Sequence, residues 1–387
     1  MKAFNQLKTF QRLLGEYPAD TPLGKFLPGF YRQNKQMGSS DRRVANRLIY
    51  NYFRLGKALN NTPTNERLIV ADFLCNLQTN SFLDHFKPDW AVFVGLGFDE
   101  KLAVVKLDYP TFKLEDVFPW VNELSGGIDK VLFLQSFFIQ PDLYIRILKG
   151  FEAQVKATLA NASIVYREEG NQCIALPNGT RLDTLFQNQH WFEVQDLSSQ
   201  QTAQFYKPNK WESWWDACAA SGGKSLLLHD LQPDLKLVVS DIRESILTNL
   251  EERFAQAGLR KYQKKLIDLT KNVDPELHDY AFDGVILDIP CSGSGTWGRT
   301  PEMIAQFKDF KIQSFKNLQQ SIVNNVVKYL KPGKPLIYIT CSVFKAENED
   351  MVDYLVKEFS FKLEEQKVLK GYDRKADTMF VARMVKV

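Results

Sequence analysis

Apolar and polar positions change rhythm twice along this 387-residue chain. From residue 1 to about residue 124 apolar side chains recur at helical spacing. The clearest helix start is Ser39-Ser40-Asp41, after which Val44, Leu48, Tyr52 and Leu55 fall on one stripe. From about 126 to 202 the pattern is mixed. Residues 142–148 read as a strand, 153–159 as an amphipathic helix, and 163–167 and 172–176 as strands before an Asn178-Gly179 turn. From about 208 onward, strand-like runs at 214–217, 235–240, 264–269, 284–289 and 335–340 alternate with helical stretches such as 245–257 and 349–359. Residues 379–387 look like one more strand. This alternation predicts an α/β fold with a doubly wound parallel sheet, ligands lying at the carboxyl ends of its strands. The expected organisation is a helical domain (1–125), a small α+β module (126–205) and the α/β domain (206–387).

Composition narrows the class. Hydrophobic content of 44% and charged content of 25% suit a folded soluble chain, and a net charge of +3 permits a polyanionic partner without demanding one. No apolar run approaches a membrane span, and Lys2, Lys8 and Arg12 interrupt the start of the chain, so neither a membrane nor a signal peptide is expected. The five cysteines, Cys75, Cys173, Cys218, Cys291 and Cys341, are odd in number and never spaced Cys-x-x-Cys, which argues against a disulfide framework or a metal site and for a reduced, cytoplasmic protein. Around the helix that begins at Ser39, Arg32, Lys35, Arg42, Arg43, Arg47, Arg54 and Lys57 face the single acid Asp41. Arg43, Arg47 and Arg54 share a stripe that reads either as a solvated face or as a footprint for nucleic acid.

The strand ends carry the chemistry. The first runs into Asp216-Ala217-Cys218-Ala219-Ala220-Ser221-Gly222-Gly223-Lys224-Ser225, where small residues let a ligand approach the backbone and the next helix N-terminus favours negative charge. It is not a P-loop, whose first Gly would stand at Cys218, and the dinucleotide fingerprint is absent. The second strand ends in Asp241, about twenty residues on, where an acid can accept hydrogen bonds from a ribose diol. The third ends in Asp268, in reach of an adenine amino group; either acid alone could be a helix cap, and together they favour an adenosine-bearing cofactor. The fourth ends in Asp288-Ile289-Pro290-Cys291 and the fifth in Thr340-Cys341-Ser342. A lone Cys is most often inert packing, the reading kept for Cys75 and Cys173. Two at consecutive strand ends can face one crevice, and a thiolate is the nucleophile an unactivated aromatic carbon requires.

These residues resemble the RNA cytosine-5 methyltransferase family, the RsmB, Nop and Sun group. Its motif D-x-C-A-A-P-G-G-K-T is similar to 216–225, its D-x-P-C-S-G-x-G to 288–295, and its T-C-S with E-N-E to 340–342 and 347–349; the 194–200 segment and the closing Met379-Phe380-Val381-Ala382 are similar as well. The N-terminal part is similar to the NusB-like helical RNA-binding domain of some members. The resemblance implies a Rossmann-like S-adenosyl-L-methionine-dependent methyltransferase domain that methylates carbon 5 of cytosine in RNA. Cys341 would be the nucleophile, Asp288 would hydrogen-bond the base, Lys224 would help hold it, and Cys291 would assist release. Cys218, Ala219, Ala220, Ser221, Gly222, Gly223, Lys224, Asp241, Asp268 and Asp288 would bind the cofactor, while Arg146, Arg299, Arg43 and Arg47 would contact RNA. Ribosomal RNA is the first expected substrate and transfer RNA the second, acted on by a monomer.

The chain departs from the family at Ser221, which replaces the loop Pro, at Leu148, where Asn is usual, and at Trp297-Gly298-Arg299, which leaves one Arg of a frequent pair. These departures bear on RNA preference more than on chemistry. A DNA cytosine-5 methyltransferase, which also uses a Pro-Cys thiol, is the nearest enzymatic rival, and the Thr-Cys-Ser motif argues against it. A catalytically silent RNA-binding protein is the rival from another class. Two thiols together with the strand-end acids argue against that.

Overall fold

The computed structural model describes residues 2–170, 172–187 and 190–387. They form two compact units, one of Met1–Asn122, Asp129–Gln140 and Thr296–Lys308, the other of Glu123–Ile128, Pro141–Gly295 and Asp309–Val387. Among the described residues no helix is long and apolar enough to cross a membrane.

The first unit is helical, built on Ala3–Glu16, Leu23–Gln33, Ser39–Arg54, Thr64–Cys75 and Phe98–Asp108. Phe10, Leu13, Leu27, Phe30, Leu48, Ile49 and Phe53 meet in its core, so the apolar stripe of the Ser39–Arg54 helix faces inward as its spacing predicts. The arginine stripe does not form one surface. Arg43 is exposed, but Arg47 donates to Asn80 Oδ1 (3.1 Å) and lies 3.5 Å from the buried Asp72 carboxylate. Arg54, only 2% exposed, donates through Nη1 to the carbonyls of Phe137 (2.6 Å) and Ile139 (3.2 Å) and through Nη2 to Gln140 Oε1 (2.8 Å). The helix opens to solvent at its first turn and is enclosed at its last, a gradient that a local charge pattern does not carry.

Segment Thr296–Lys308 packs within the helical unit, where Glu302 Oε1 accepts from the N–H of Leu23, the first residue of its helix (3.0 Å), and Lys57 Nζ donates to the Phe307 carbonyl (2.9 Å). The Trp297 ring centroid lies 4.9 Å from that of Phe307 and 5.8 Å from that of Phe118.

The second unit holds two sheets. β1 (Leu143–Ile147), β2 (Arg167–Glu168), β3 (Cys173–Leu176) and β4 (Phe192–Val194) pair antiparallel in the order β2-β3-β1-β4. Of the strand expected over 163–167, only the last residue enters the ladder. β5 (Ser213–Asp216), β6 (Lys236–Asp241), β7 (Tyr262–Leu266), β8 (Gly284–Asp288) and β9 (Pro335–Thr340) are parallel. β10 (Phe361–Leu369) and β11 (Met379–Lys386) complete the order β10-β11-β9-β8-β5-β6-β7, β11 running antiparallel to both neighbours. β6 and β8 flank β5, so the chain order reverses at β5, the switch point where such sheets open a crevice. Trp214 on one side of β5 and Trp215 on the other anchor the two helix-covered cores, in which β8 and β9 are buried almost throughout. The outer strands differ. β7 ends at Leu266, which leaves Asp268 in the following loop, and both β7 and β10 are exposed over most of their length, so neither shows the apolar run of a central strand.

Asp216 closes β5 with its side chain out of water. Its Oδ2 accepts from Ser225 Oγ (2.6 Å), its Oδ1 has no hydrogen-bond partner among the described residues, and burial pushes its pKa up to about 7. Stability from such a raised carboxyl is fully present below its unfolded pKa near 4 and is lost as pH rises towards about 7. Between those limits, wild type should therefore lose up to about 4 kcal/mol relative to Asp216→Asn, a shift of about three units at 1.36 kcal/mol each. Urea unfolding of both proteins at several pH values checks this, and parallel curves would refute it. In the helical unit, Arg54→Ala orphans the buried Phe137 carbonyl and removes the donor to two part-buried acceptors, and should destabilise by about 1–3 kcal/mol, against less than about 0.5 kcal/mol for the exposed Arg43→Ala. Thermal unfolding of the two variants separates the roles.

Candidate active site

At the end of β5 the backbone turns sharply, with Ala220 at φ +46° and Gly222 at φ +82°. A Cβ on Gly222 would also collide with the Phe254 ring, so both conformation and packing demand glycine there. The Ala219 N–H donates to the Ser240 carbonyl (2.8 Å) and the Ala220 N–H to Asp241 Oδ2 (3.1 Å), which ties this loop to the end of β6. From the other side Arg253 bridges it to β4, donating to Ser221 Oγ (3.1 Å) and to Glu193 Oε2 (2.6 Å).

The helix Gly223–Leu231 then begins, and Lys224 in its first turn reaches Asp288 Oδ2 at 2.8 Å. Burial alone would lower the Lys224 pKa, but the Asp288 carboxylate outweighs it, with smaller contributions from Cys341 and Asp216, and holds the ammonium above the ordinary lysine range.

Asp241 ends β6, and its carboxylate is engaged on both oxygens. Oδ1 accepts from the Arg243 N–H (3.0 Å) and Nε (2.9 Å), while Oδ2 accepts from Arg243 Nη2 (3.1 Å) as well as from Ala220. Burial pushes its pKa up, yet the bonds from Arg243 prevail and leave it lowered. Asp268, beyond β7, is held below the usual carboxylate range first by the Thr270 hydroxyl (2.6 Å).

Beyond β8 and β9, which pair in parallel up to Asp288 and Ile339, the two loops bring Cys291 and Cys341 together with sulfurs 3.3 Å apart. The contact with Cys341 and burial push the Cys291 thiol well above its ordinary range. The Gly295 N–H donates to the Cys341 carbonyl (2.8 Å) and the Gly295 carbonyl accepts from Thr378 N–H (2.9 Å), a seam so close that a Cβ at residue 295 would strike the Thr378 backbone.

These loops enclose a cavity of about 490 Å³ lined by Cys218, Asp241, Asp268, Asp288, Cys291 and Cys341, with Ile242, Ile267, Leu269, Ile289, Leu318 and Ile322 as apolar wall. The structure thus gathers the strand-end acids and thiols singled out in the sequence around one space. Other expected site residues lie elsewhere. Arg146 is buried in β1, where Nε donates to Gln195 Oε1 (3.1 Å) and Nη1 pairs with Asp230. Arg43, Arg47 and Arg299 belong to the helical unit. Cys173 is buried and Cys75 partly exposed, and burial raises each to about 12. Two residues at the site were not foreseen in these roles. Arg243 has a local signal, since it stands two residues after an expected ligand acid. Glu347, fully buried behind the two thiol loops, was legible only as part of a motif.

Comparison with known proteins agrees with this arrangement. The fold is that of the protein titled PH0851 (TM-score 0.69, 20% identity, covering 92% of this chain and 93% of that one) and of a methyltransferase homolog from Pyrococcus horikoshii (TM-score 0.58, 18% identity, 73% and 98%). Among curated sequences, ribosomal RNA small subunit methyltransferase B of Shewanella oneidensis is 31% identical over 211 residues, covering 54% of this chain and 47% of that protein. The same-named protein of Salmonella paratyphi B is 33% identical over 162 residues, 42% and 37% of the two chains. The chain thus spans less than half the length of these curated relatives. Residues 203–385 match the family described as 16S rRNA methyltransferase RsmB/F, so this span of the chain, with its two Cys motifs and its cavity, is similar to the methyltransferases of that family.

Proposed function

We propose that this chain is an S-adenosyl-L-methionine-dependent methyltransferase acting on carbon 5 of cytosine in RNA, through a covalent bond from Cys341 and with Cys291 assisting release. The observation that carries the reading is the meeting of two thiols, 3.3 Å apart, in one cavity with Asp241, Asp268 and Asp288. Small-subunit ribosomal RNA is the substrate class named by the curated relatives and is taken here as the substrate.

The residues present suit the cofactor. A slot walled by Ile242, Ile267, Leu269 and Ile289 accepts a flat apolar ring, while the carboxylates of Asp241 and Asp268 at its edge accept from a ribose and an amino group. The tight turn at 218–222 keeps side chains away from the backbone there, and Lys224 supplies a cation for a carboxylate. The archaeal neighbour NSun6 from Pyrococcus horikoshii (TM-score 0.61, 16% identity, covering 70% of this chain and 97% of that one) was solved with SFG, an S-adenosylmethionine analogue, which is consistent with this choice. When bound, the cofactor supplies an electrophilic methyl group.

Cytosine carbon 5 is a poor nucleophile until a thiolate adds to carbon 6. The Cys341 thiol gives its proton to solvent and its sulfur forms that bond, the carbon 5–carbon 6 electron pair shifts to carbon 4–carbon 5 and the carbon 4–N3 pair onto N3, so that carbon 5 becomes an enamine carbon. Asp288, held by Lys224, accepts a hydrogen bond from the base and opposes drift during addition. Once alkylated, Cys341 carries no charge, and its opposition to ionisation of Cys291 is lifted. Cys291 then gives its proton to solvent, takes the proton from carbon 5, and the double bond reforms as the Cys341 sulfur leaves. The base must lie unstacked to enter such a cavity, at a cost of a few kcal/mol that is least in loops.

Bisulfite sequencing of ribosomal RNA from cells with and without the protein tests the substrate; identical methylation maps would refute it. Cys341→Ala should abolish both methylation and any denaturant-resistant RNA adduct, whereas Cys291→Ala should add, accept the methyl group and stall. The stalled species appears as an RNase-sensitive, methyl-labelled band on a denaturing gel. A band from Cys341→Ala alone would reverse the roles. Asp241→Ala removes the ribose acceptors and should weaken S-adenosylmethionine binding by about 1–3 kcal/mol in calorimetric titration. Unchanged affinity would mean that Arg243 retains this acid in the bound state.

A further inference from the structure

A parallel ladder fixes the spacing of two strands only as far as it is paired, here to Asp288 and Ile339. Cys291 and Cys341 lie beyond that point, so something else must hold their loops together. The Gly295 N–H, bonded to the Cys341 carbonyl (2.8 Å), does so at the far end of the Pro-Cys loop, and one buried carboxyl does so beside both thiols. Glu347 Oε2 accepts from the backbone N–H of Ser292, which follows Cys291 (2.8 Å), and from Gln319 Nε2 (3.2 Å). Its Oε1 accepts from the hydroxyl of Ser342, which follows Cys341 (2.6 Å). Gln319 Nε2 also donates to the Pro290 carbonyl (3.2 Å), immediately before Cys291, and its Oε1 accepts from the Tyr338 hydroxyl (3.2 Å) on β9. The hydroxyls of Ser292 and Ser294 each lie within 3.2 Å of that of Ser342.

Glu347 does not line the cavity, and every one of these bonds ends on a residue next to a thiol or on Gln319, which itself holds the Pro-Cys loop. An enclosed carboxyl with no cation bonded to it is costly. Burial pushes its pKa up, and the donors from Ser292, Ser342 and Gln319 pull the other way. An apolar residue of the same size would fill the space without that penalty, so the site favours a carboxyl for where its two oxygens point.

We propose that Glu347 is the positioning residue of the thiol pair, a clasp that sets the separation of Cys291 from Cys341. This rests on the reading of those thiols as releasing group and nucleophile. One sulfur must bond to carbon 6 and the other must reach the proton on carbon 5, adjacent atoms of one ring, so their mutual spacing has little tolerance. A displacement of about 1 Å at such a site costs on the order of 100-fold in rate.

The test uses the full-length protein and a reaction that needs neither RNA nor cofactor. Diamide takes two hydrogens from a close thiol pair and leaves a disulfide, read as a loss of two mass units and mapped to the Cys291–Cys341 peptides. Glu347→Leu should slow this closure about tenfold or more and single-turnover methyl transfer about 100-fold, with S-adenosylmethionine affinity by calorimetry within about twofold. Glu347→Gln can satisfy the same partners, its carbonyl accepting the two N–H donors and its amide donating to Ser342, and should restore most of both rates. Wild-type closure in Glu347→Leu, or equal damage from Gln and Leu, overturns the clasp. Should Glu347→Leu also lose cofactor affinity, Ser342→Ala decides: closure slowed about threefold or more at intact affinity upholds the clasp, and an unchanged rate overturns it. A wild-type protein that closes the disulfide readily but never methylates RNA would sink the proposed function and leave the clasp standing.

Discussion

The ion pair between Lys224 and Asp288, 2.8 Å long and largely shielded from water, joins the two halves of the site. Lys224 opens the helix after β5, and Asp288 ends β8, the next strand in the sheet. Neither charge is stable alone at that depth, since an unpaired buried ion costs several kcal/mol, so each fixes the other's rotamer. The loop that turns through Ala220 and Gly222 is thereby anchored to the strand that delivers Cys291.

Around that pair the carboxyl ends of the parallel strands concentrate buried polar groups that the rest of the sheet avoids. Asp216, Ser240, Asp241, Ser292, Thr340, Ser342, Glu347 and Asn348 are all buried, whereas the strands leading to them are apolar. Most have their partners nearby: Thr340 Oγ1 donates to Asn348 Oδ1 (2.5 Å), and Asn348 Nδ2 donates to Ser125 Oγ (2.7 Å) and to the Ser342 carbonyl (2.9 Å). Such networks stabilise little in net terms, because each bond replaces one to water, but an incomplete one is expensive. They select one loop conformation among many and so fix where the two thiols stand.

The helical unit adds a second constraint. Its core takes in Trp297 and Phe307 from a segment that begins one residue after Gly295, while Gly295 itself is bonded to the backbone of Cys341 and Thr378.

Much of this protein was determined by the sequence alone. The runs at 284–287 and 335–339 read as central strands, because apolar stretches of that kind are covered on both faces, and Asp288 and the cysteines that follow them then emerge at the strands' carboxyl ends. Where burial is one-sided or local the pattern was less sure: β10 is too exposed to announce itself, and β7 lies two residues earlier than its expected start, which leaves Asp268 outside the strand. Arg43, Arg47 and Arg54 share a stripe, yet which of them meets water depends on what covers each turn of the helix. That the helical unit claims residues 296–308, that Arg243 occupies Asp241, and that one carboxyl joins the two thiol loops are matters only the tertiary structure decided. Each depends on a contact between residues whose positions relative to one another are set by packing, and periodicity records only which way a side chain faces, not what it meets there.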